Sequence, residues 1–279
     1  MGSDPGDQSF ERLLQALGPS LPEILIIGGW AHRLYRYRPE VIVPSHEPLF
    51  TTDTDIAIPP GAALPPKQLL EQLRSHGFVE EFFGEENPPV THYRLGKEDS
   101  AFYAEFLTPL FGGEDRRGKS TGSTIDLGGV VAQRLRHLEI LLIDPWSIKV
   151  TDSSSQAADP ISVRLPNAVA YIAQKLLILR KRKPSERAKD LLYIHDTIEL
   201  FGAALESLAA LWQTTVRPRL DRIADEIQRL AHTQFSEVTD DIRSSSRAAR
   251  ASGRELDPEI IRLRCAVGLA AIFSETMKL

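Results

Sequence analysis

Two aspartates, Asp53 and Asp55, lie two residues apart in residues 51–58, a segment otherwise made of threonine and apolar side chains. This composition predicts a strand, and because side chains alternate between the faces of a strand, both carboxylates point the same way. Two carboxylates repel each other by roughly 4 kcal/mol at ~4 Å and an effective dielectric of about 20. A divalent cation converts that repulsion into coordination, so the spacing predicts a metal site.

An apolar run at residues 24–27 stops at Gly28 and Gly29. The run predicts a buried strand, and the glycines predict a turn followed by a helix that starts near Trp30. A strand, a glycine turn and a helix start can turn backbone N–H groups toward a phosphate. Most glycine pairs are simply turns, so this one gains its significance from the aspartates downstream.

A third carboxylate, Glu105, lies within the aromatic-rich segment 101–107, which predicts another strand. A carboxylate flanked by apolar residues in a strand either faces solvent or lies in a cleft. The nearby aspartate pair favours the cleft.

Composition limits the class of protein. The 279 residues are 42% hydrophobic and 25% charged, which is ordinary for a globular protein of one or two domains. A net charge of −5 gives no general nucleic-acid signature, so any polyanion contact must be local. The single cysteine, Cys265, excludes an intrachain disulfide, and no run approaches the ~18 apolar residues of a membrane span or forms a signal-peptide core. We therefore expect a cytoplasmic protein with no membrane contact.

The pattern changes near Pro166. Strand and helix patterns mix before it, whereas helical spacing dominates after it. We predict an α+β fold with a mixed sheet and flanking helices in residues 1–165, and a helical domain in residues 166–279. The polar, Ser/Arg-rich residues 240–253 are either a linker or an exposed helix.

The combination of Gly28 and Gly29, the Asp53-x-Asp55 pair and Glu105 resembles the nucleotidyltransferase superfamily, which has the DNA polymerase β-like fold. More narrowly, the sequences GGWA from Gly28 and TDTDI from Thr52 look like the small bacterial nucleotidyltransferases, including the AbiEii-type toxins. The resemblance spans roughly residues 24–200. Many relatives carry Ser or Thr where this chain has Trp30, so that ring is expected either to contact the nucleotide or to pack.

The resemblance implies transfer of a nucleoside monophosphate from a nucleoside triphosphate to an acceptor. It implies two Mg²⁺ ions, with Mn²⁺ as an alternative, held by the carboxylates. It also implies the following site residues: catalytic and metal-binding Asp53, Asp55 and Glu105, and nucleotide-binding Gly28, Gly29, Trp30, Thr52, Lys175, Lys189 and Asp190. The last three lie on predicted amphipathic helices, where a charged residue is equally expected on a solvated face.

By the same resemblance the acceptor is an RNA 3′ end such as that of tRNA, in a toxin with a cognate antitoxin. Two alternatives stay open. One is a transferase acting on a small molecule, such as an aminoglycoside, or on a protein side chain. The other is a non-catalytic nucleotide-binding or regulatory module of the same fold, against which the intact acids argue.

Overall fold

The computed structural model describes residues 5–96, 102–111, 115–116, 119–120, 123–150 and 160–274. The chain forms two compact units. The first comprises the chain up to Ala31 together with Phe50–Pro166. The second comprises His32–Leu49 together with the chain from Asn167. The second unit therefore includes an inner segment, 32–49, that precedes the Asp53 strand in the sequence.

The first unit combines a sheet with flanking helices. Its helices are α1 (Pro5–Leu17), the start of α2 (Gly28–Leu34) and α3 (Gln68–Ser75). Its strands are β1 (Leu25–Ile26), β2 (Asp53–Ala57), β3 (Phe78–Phe83), β4 (Val90–Leu95), β5 (Tyr103–Pro109), β6 (Asp115–Arg116), β7 (Lys119–Ser120), β8 (Thr124–Leu127), β9 (Val130–Leu135), β10 (Trp146–Val150) and β11 (Ile161–Leu165).

The main sheet is mixed. Within the described residues its strands run in the order β1-β2-β5-β4-β3, with β9 pairing to β5 and β8 pairing to β9. β2 and β5 are parallel, while β4 is antiparallel to β5 and β3 is antiparallel to β4. β10 and β11 form a separate antiparallel pair.

Alternation along β2 separates a core face from an open face. Thr54 and Ile56 are fully buried, whereas Asp53 and Asp55 are partly exposed. Beyond the acids, toward the carboxyl ends of β2 and β5, the face that carries them is closed by an apolar cluster of Leu25, Ile27, Ala57, Leu107, Leu138 and Leu141. The burial of these side chains holds the register of the strands, and the register in turn fixes the positions of the polar residues on the open face.

The second unit is helical. Within the described residues its helices, after the end of α2, are α4 (Ala168–Ile178), α5 (Pro184–Leu200), α6 (Leu205–Leu211), α7 (Arg222–Thr233), α8 (Asp240–Ala251) and α9 (Pro258–Phe273). The polar stretch 240–253 is thus a helix, capped by the Thr239 side chain, which accepts a hydrogen bond from the Ile242 N–H. The predicted α+β class with a C-terminal helical region is confirmed. Every helix among the described residues is too short or too polar to cross a bilayer.

Buried charges in the second unit are paired. Arg254 donates two hydrogen bonds to Asp196, at 2.6 and 2.8 Å, and the His195 ring nitrogen Nδ1 lies 2.8 Å from the same carboxylate. Burial raises the pKa of Asp196, but the hydrogen bonds from Arg254 and His195 outweigh it and hold the pKa well below its usual range. Removing one partner of such a buried pair strongly destabilises a protein, because the remaining charge is left without a counter-charge and without solvation by water.

His32 is buried beside this network. Its ring packs against Tyr193, with centroids 5.1 Å apart, and against Tyr35 and Tyr171. Among the described residues neither of its ring nitrogens has a hydrogen-bond partner. Burial lowers the pKa of His32 to about 4, and the nearby Asp196 carboxylate offsets only part of that effect.

The lowered pKa of His32 predicts a loss of stability in mild acid. The unfolded chain takes up this proton near its usual pKa of 6.5, whereas the folded protein resists until about pH 4. The free energy of unfolding should therefore fall by roughly 3 kcal/mol as the pH drops through this window. We expect His32→Phe to lack that component in urea titrations across the pH range.

The exposed residue His232 provides the matched control. His232→Gln should leave the pH dependence of the unfolding free energy as in the wild type. An unchanged acid profile in His32→Phe would contradict the assignment.

Candidate active site

The three predicted acids lie on neighbouring strands of the first unit. In the parallel pairing of β2 and β5, Asp53 is opposite Tyr103 and Asp55 is opposite Glu105. Residues directly opposite on adjacent strands share a face of the sheet, and adjacent strands are about 4.8 Å apart. The register thus places Asp53, Asp55 and Glu105 on one face, although 50 residues separate Asp55 from Glu105 in the sequence.

Each acid at the edge of this group contacts a polar neighbour that sequence reasoning missed. The Thr51 hydroxyl donates to Oδ1 of Asp53. Nε2 of His92 lies 3.0 Å from Oε1 of Glu105, because β4 places His92 opposite Glu105. The Gln133 amide on β9 donates to Oε2 of Glu105 at 3.4 Å. The contacts of His92 and Gln133 are revealed only by the strand pairings, since nothing in the sequence spacing of these two residues points to them.

Glu105 has a strongly perturbed pKa. Burial raises the pKa to about 7, and the negative charges of Asp55 and Asp53 add to the effect. The same carboxylate would ionise readily beside a cation, because a positive charge favours the charged form. A perturbed carboxylate beside two other acids is typical of a functional site rather than of a structural sheet.

Gly28 brings the backbone against Asp55. Its φ is +62°, in the left-handed region that glycine adopts most easily. A β-carbon added there would overlap Oδ2 of Asp55 and lie 3.0 Å from its Cγ. The carboxylate therefore fills the space that any other side chain would take, and the backbone of Ile27 donates to the carbonyl of Asp55 at 2.9 Å.

The donor set and this close approach fit a hard divalent cation. Mg²⁺ and Mn²⁺ prefer carboxylate oxygens, and the three acids supply only such ligands. Repulsion among the acids is what a bound cation would relieve. Asp53, Asp55 and Glu105 thus form a donor set that would suit such a cation.

The remaining predicted residues of the first unit occupy different surroundings. Gly28 and Gly29 open α2, as expected. Thr52 precedes β2, and its carbonyl accepts from the N–H of Tyr103 at 3.2 Å. Trp30 is only 3% exposed; its ring stacks on Phe10 at 3.9 Å between centroids. Of the two expectations for Trp30, the structure shows packing: its ring lies in the core and offers no open face to a nucleotide.

Lys175, Lys189 and Asp190 belong to the second unit. Nζ of Lys175 lies 2.5 Å from Asp190, and both side chains are buried. The Lys175 ammonium also lies over the rings of Tyr171 and Tyr193, at 5.1 and 4.7 Å from their centroids. Lys189 is partly exposed, with its ammonium 5.8 Å from the Tyr193 ring. The solvated-face alternative is therefore wrong for Lys175 and Asp190.

By distance alone, a second carboxylate and histidine group could hold a metal ion. Within the described residues, the ligand atoms of His46, Asp196 and Glu199 all lie within 4.8 Å of one another. However, Arg254 already engages Asp196 through two hydrogen bonds, and Arg264 donates to Glu199 at 2.5 Å. These guanidinium groups supply the positive charge, so the group is better explained as a buried ionic network.

A cavity of about 450 Å³ opens in the first unit near the carboxyl ends of β2 and β5. Its lining includes Ile58, Leu64, Thr108 and Phe111 but none of the three acids. The acids lie toward the amino ends of the same strands. The cavity and the acid group are therefore separate features of the sheet.

Comparison with known proteins identifies the class. A model of the nucleotidyltransferase family matches residues 8–217, which include every predicted site residue. The chain belongs to this family, and the mixed sheet with its C-terminal helical region agrees with that membership. Nucleotidyl transfer from a nucleoside triphosphate is accordingly its general class of activity. No curated protein matches the chain.

Because Gly28 lies so close to Asp55, adding one methyl group there should cost more than adding it at a glycine with open space around it. Gly28→Ala should lower the free energy of unfolding by the cost of a left-handed alanine, about 1–2 kcal/mol, and by a further ~1–3 kcal/mol for displacing Asp55. It should also weaken Mn²⁺ binding measured by calorimetry.

Gly61 is the matched control, because its φ is +80° and a β-carbon there would meet no atom within 4 Å. Gly61→Ala should show the first cost alone and unchanged Mn²⁺ binding. Equal effects of the two substitutions would refute the role given to Gly28.

Proposed function

We propose that the protein is a metal-dependent nucleotidyltransferase that transfers a nucleoside monophosphate to the 3′ end of an RNA, such as a tRNA. The observation that carries the proposal is the strand register that places Asp53, Asp55 and Glu105 on one face of the sheet. The close approach of Gly28 to Asp55 supports it. Membership of the nucleotidyltransferase family supplies the reaction class.

The three acids have distinct roles in this proposal. Asp53 and Asp55 hold two Mg²⁺ ions, or Mn²⁺, which when bound supply charge neutralisation at the phosphates and lower the pKa of the attacking hydroxyl. Glu105 completes the metal site and accepts the proton of that hydroxyl. The acceptor oxygen forms a bond to the α-phosphorus as the bond to pyrophosphate breaks, and pyrophosphate leaves with the electron pair.

The nucleotide contacts follow from the glycine turn. The backbone N–H groups of Gly28 and Gly29 bind the phosphates, with Thr52 beside them at the start of β2. Trp30 acts by packing, which holds the first turn of α2 in place. The resemblance also assigns Lys175, Lys189 and Asp190 to the nucleotide, and in the second unit Lys175 and Asp190 form a buried ion pair.

The choice of acceptor rests on the resemblance of the GGWA and TDTDI motifs to toxin-type members of the superfamily. A toxin of this kind acts in the cytoplasm and has a cognate antitoxin as its partner. The single cysteine, Cys265, is buried, which suits a reducing compartment. Transfer to a small molecule or a protein, or a non-catalytic role, are the competing functions.

Removing one metal ligand should abolish transfer. In Asp55→Asn the amide keeps the shape of the side chain but loses its charge. The loss of charge stabilisation, several kcal/mol, should lower the transfer rate by about a hundredfold or more. The measurement is incorporation of α-labelled nucleoside triphosphates into total RNA in the presence of Mg²⁺.

The control is Asp126→Asn, which changes an exposed carboxylate of the same unit. It should retain full activity, and both variants should keep the circular dichroism of the wild type. Undiminished transfer by Asp55→Asn would contradict the assignment of Asp55 as a metal ligand. Labelling of a small molecule or protein instead of RNA would replace the proposed acceptor.

The lysines can be tested separately because their surroundings differ. Lys189→Gln should weaken triphosphate affinity about tenfold, the loss expected for one charged hydrogen bond, without unfolding the protein. Lys175→Met should instead destabilise the second unit, because it leaves the buried Asp190 without its lysine. Calorimetry with a non-hydrolysable triphosphate and urea unfolding distinguish the two outcomes. Lys149→Gln, an exposed lysine on β10, is the control; equal triphosphate affinity in Lys189→Gln and Lys149→Gln would remove Lys189 from the site.

A further inference from the structure

A row of aromatic rings lies on the same face of the sheet as the acids. Tyr103 is on β5 beside Glu105, His92 is on β4, and Phe83 is on β3. The His92 ring stacks on Tyr103 with centroids 4.5 Å apart and planes inclined by 10°. Its other neighbour is Phe83, at 4.4 Å and 43°. We call these three residues the aromatic row.

Strand pairing shows that the row and the acids share one face. Glu105 is opposite both Asp55 and His92, and His92 is opposite Glu81. Tyr103 lies two residues before Glu105, and Phe83 lies two residues after Glu81. Because alternate residues of a strand point the same way, all of these side chains project from the open face.

The outer end of the row is accessible. Phe83 is 44% exposed, although single exposed apolar side chains are common on protein surfaces. Phe83 differs from such isolated side chains in its position, because its ring continues a stack that begins beside the three acids. Arg94, on the same face, forms hydrogen bonds to Glu81 and has its guanidinium 5.8 Å from the Tyr103 ring centroid. Arg94 is therefore a neighbour of Tyr103, at the inner end of the stack, and the open end presents the Phe83 ring.

The row lies on one particular side of the acids. The sheet order β1-β2-β5-β4-β3 puts the acids on β2 and β5. Gly28 and Gly29 follow β1 on one side, and the row extends through β4 to β3 on the other. If the triphosphate binds at the glycines, as the proposed function holds, the side of Glu105 and the row is left for the acceptor. β3 is two strand spacings from β5, roughly 10 Å, a span that a terminal nucleotide can bridge with its hydroxyl at one end and its base at the other.

We propose that the aromatic row binds the terminal nucleobase of a single-stranded RNA acceptor by stacking on Phe83. The inference rests on the proposed function and adds the residues that hold its acceptor. Base–aromatic stacking is tolerant of sequence, because every base has a flat π face. The row thus positions the 3′ hydroxyl near Glu105 without selecting a particular base.

The test is equilibrium binding without any nucleoside triphosphate. The probe is a short single-stranded oligoribonucleotide with 2-aminopurine at its 3′ end, whose fluorescence is quenched when the base stacks. The wild-type chain should quench the probe. Phe83→Ala should weaken binding about tenfold and lose the quenching, as expected for one stacked base. Phe83→Trp should restore both.

Phe82 provides a matched control on the same strand. It is 62% exposed, but its side chain points to the opposite face of the sheet. Phe82→Ala should bind and quench as the wild type does. Equal losses in Phe82→Ala and Phe83→Ala, or no binding by the wild type, would overturn the inference.

Two further arms separate the alternatives. Displacement of the probe by a nucleoside triphosphate alone would assign the row to the incoming nucleotide and overturn its assignment to the acceptor. If a cationic aminoglycoside displaces the probe and unlabelled RNA does not, the assignment of the row to a nucleobase is wrong. Because the assay needs no transfer, failure of the proposed reaction would appear as lost incorporation with probe binding intact. Failure of the inference would appear as incorporation whose dependence on RNA concentration is unchanged in Phe83→Ala.

Discussion

The repulsion among Asp53, Asp55 and Glu105 is the constraint on which the site depends. A sheet has no structural reason to gather three acids on one face, and burial makes the repulsion stronger because the medium screens it less. The structure tolerates this group because the opposite face of the same strands is well packed. Ile56 and Phe106, which pair across β2 and β5, are almost wholly buried. Their burial fixes the register, and the register brings the acids together whether or not the acids favour it.

The packing around Trp30 serves the same constraint. Its ring stacks almost parallel to Phe10, inclined by 6°, and meets Phe102 edge-on at 6.3 Å. Phe102 immediately precedes β5, so one apolar contact links the first turn of α2 to the strand that carries Glu105. The backbone at Gly28 is thereby held against Asp55. Trp30 thus serves as an apolar anchor for the glycine turn.

Local sequence patterns revealed the acids but not their surroundings. Residues 51–58 predicted the strand of Asp53 and Asp55 because alternation and β-branched residues are local signals, and the observed strand is Asp53–Ala57. His92 and Gln133 could not be found in this way, because they reach Glu105 only through pairings of β4 and β9 with β5. Helical spacing likewise left the surface alternative open for Lys175. Its partner Asp190 lies 15 residues away on the next helix, a separation that no helical period encodes.

Residues 32–49, the inner segment of the second unit, show why a single boundary along the sequence does not divide this chain into its two units. Residues 32–49 were expected within the first domain, yet they group with the helices that follow Asn167. The backbone N–H of Ile42 donates to the carbonyl of Leu200 at 3.0 Å, and His46 lies 3.0 Å from Glu199. His32 contributes a buried ring to the same unit. The helical region after Asn167 therefore lacks part of its own core unless this segment is present, even though the segment is encoded between Gly29 and Asp53. Residues 32–49 are thus a structural part of the second unit, and a fragment cut at residue 166 would leave that unit incomplete.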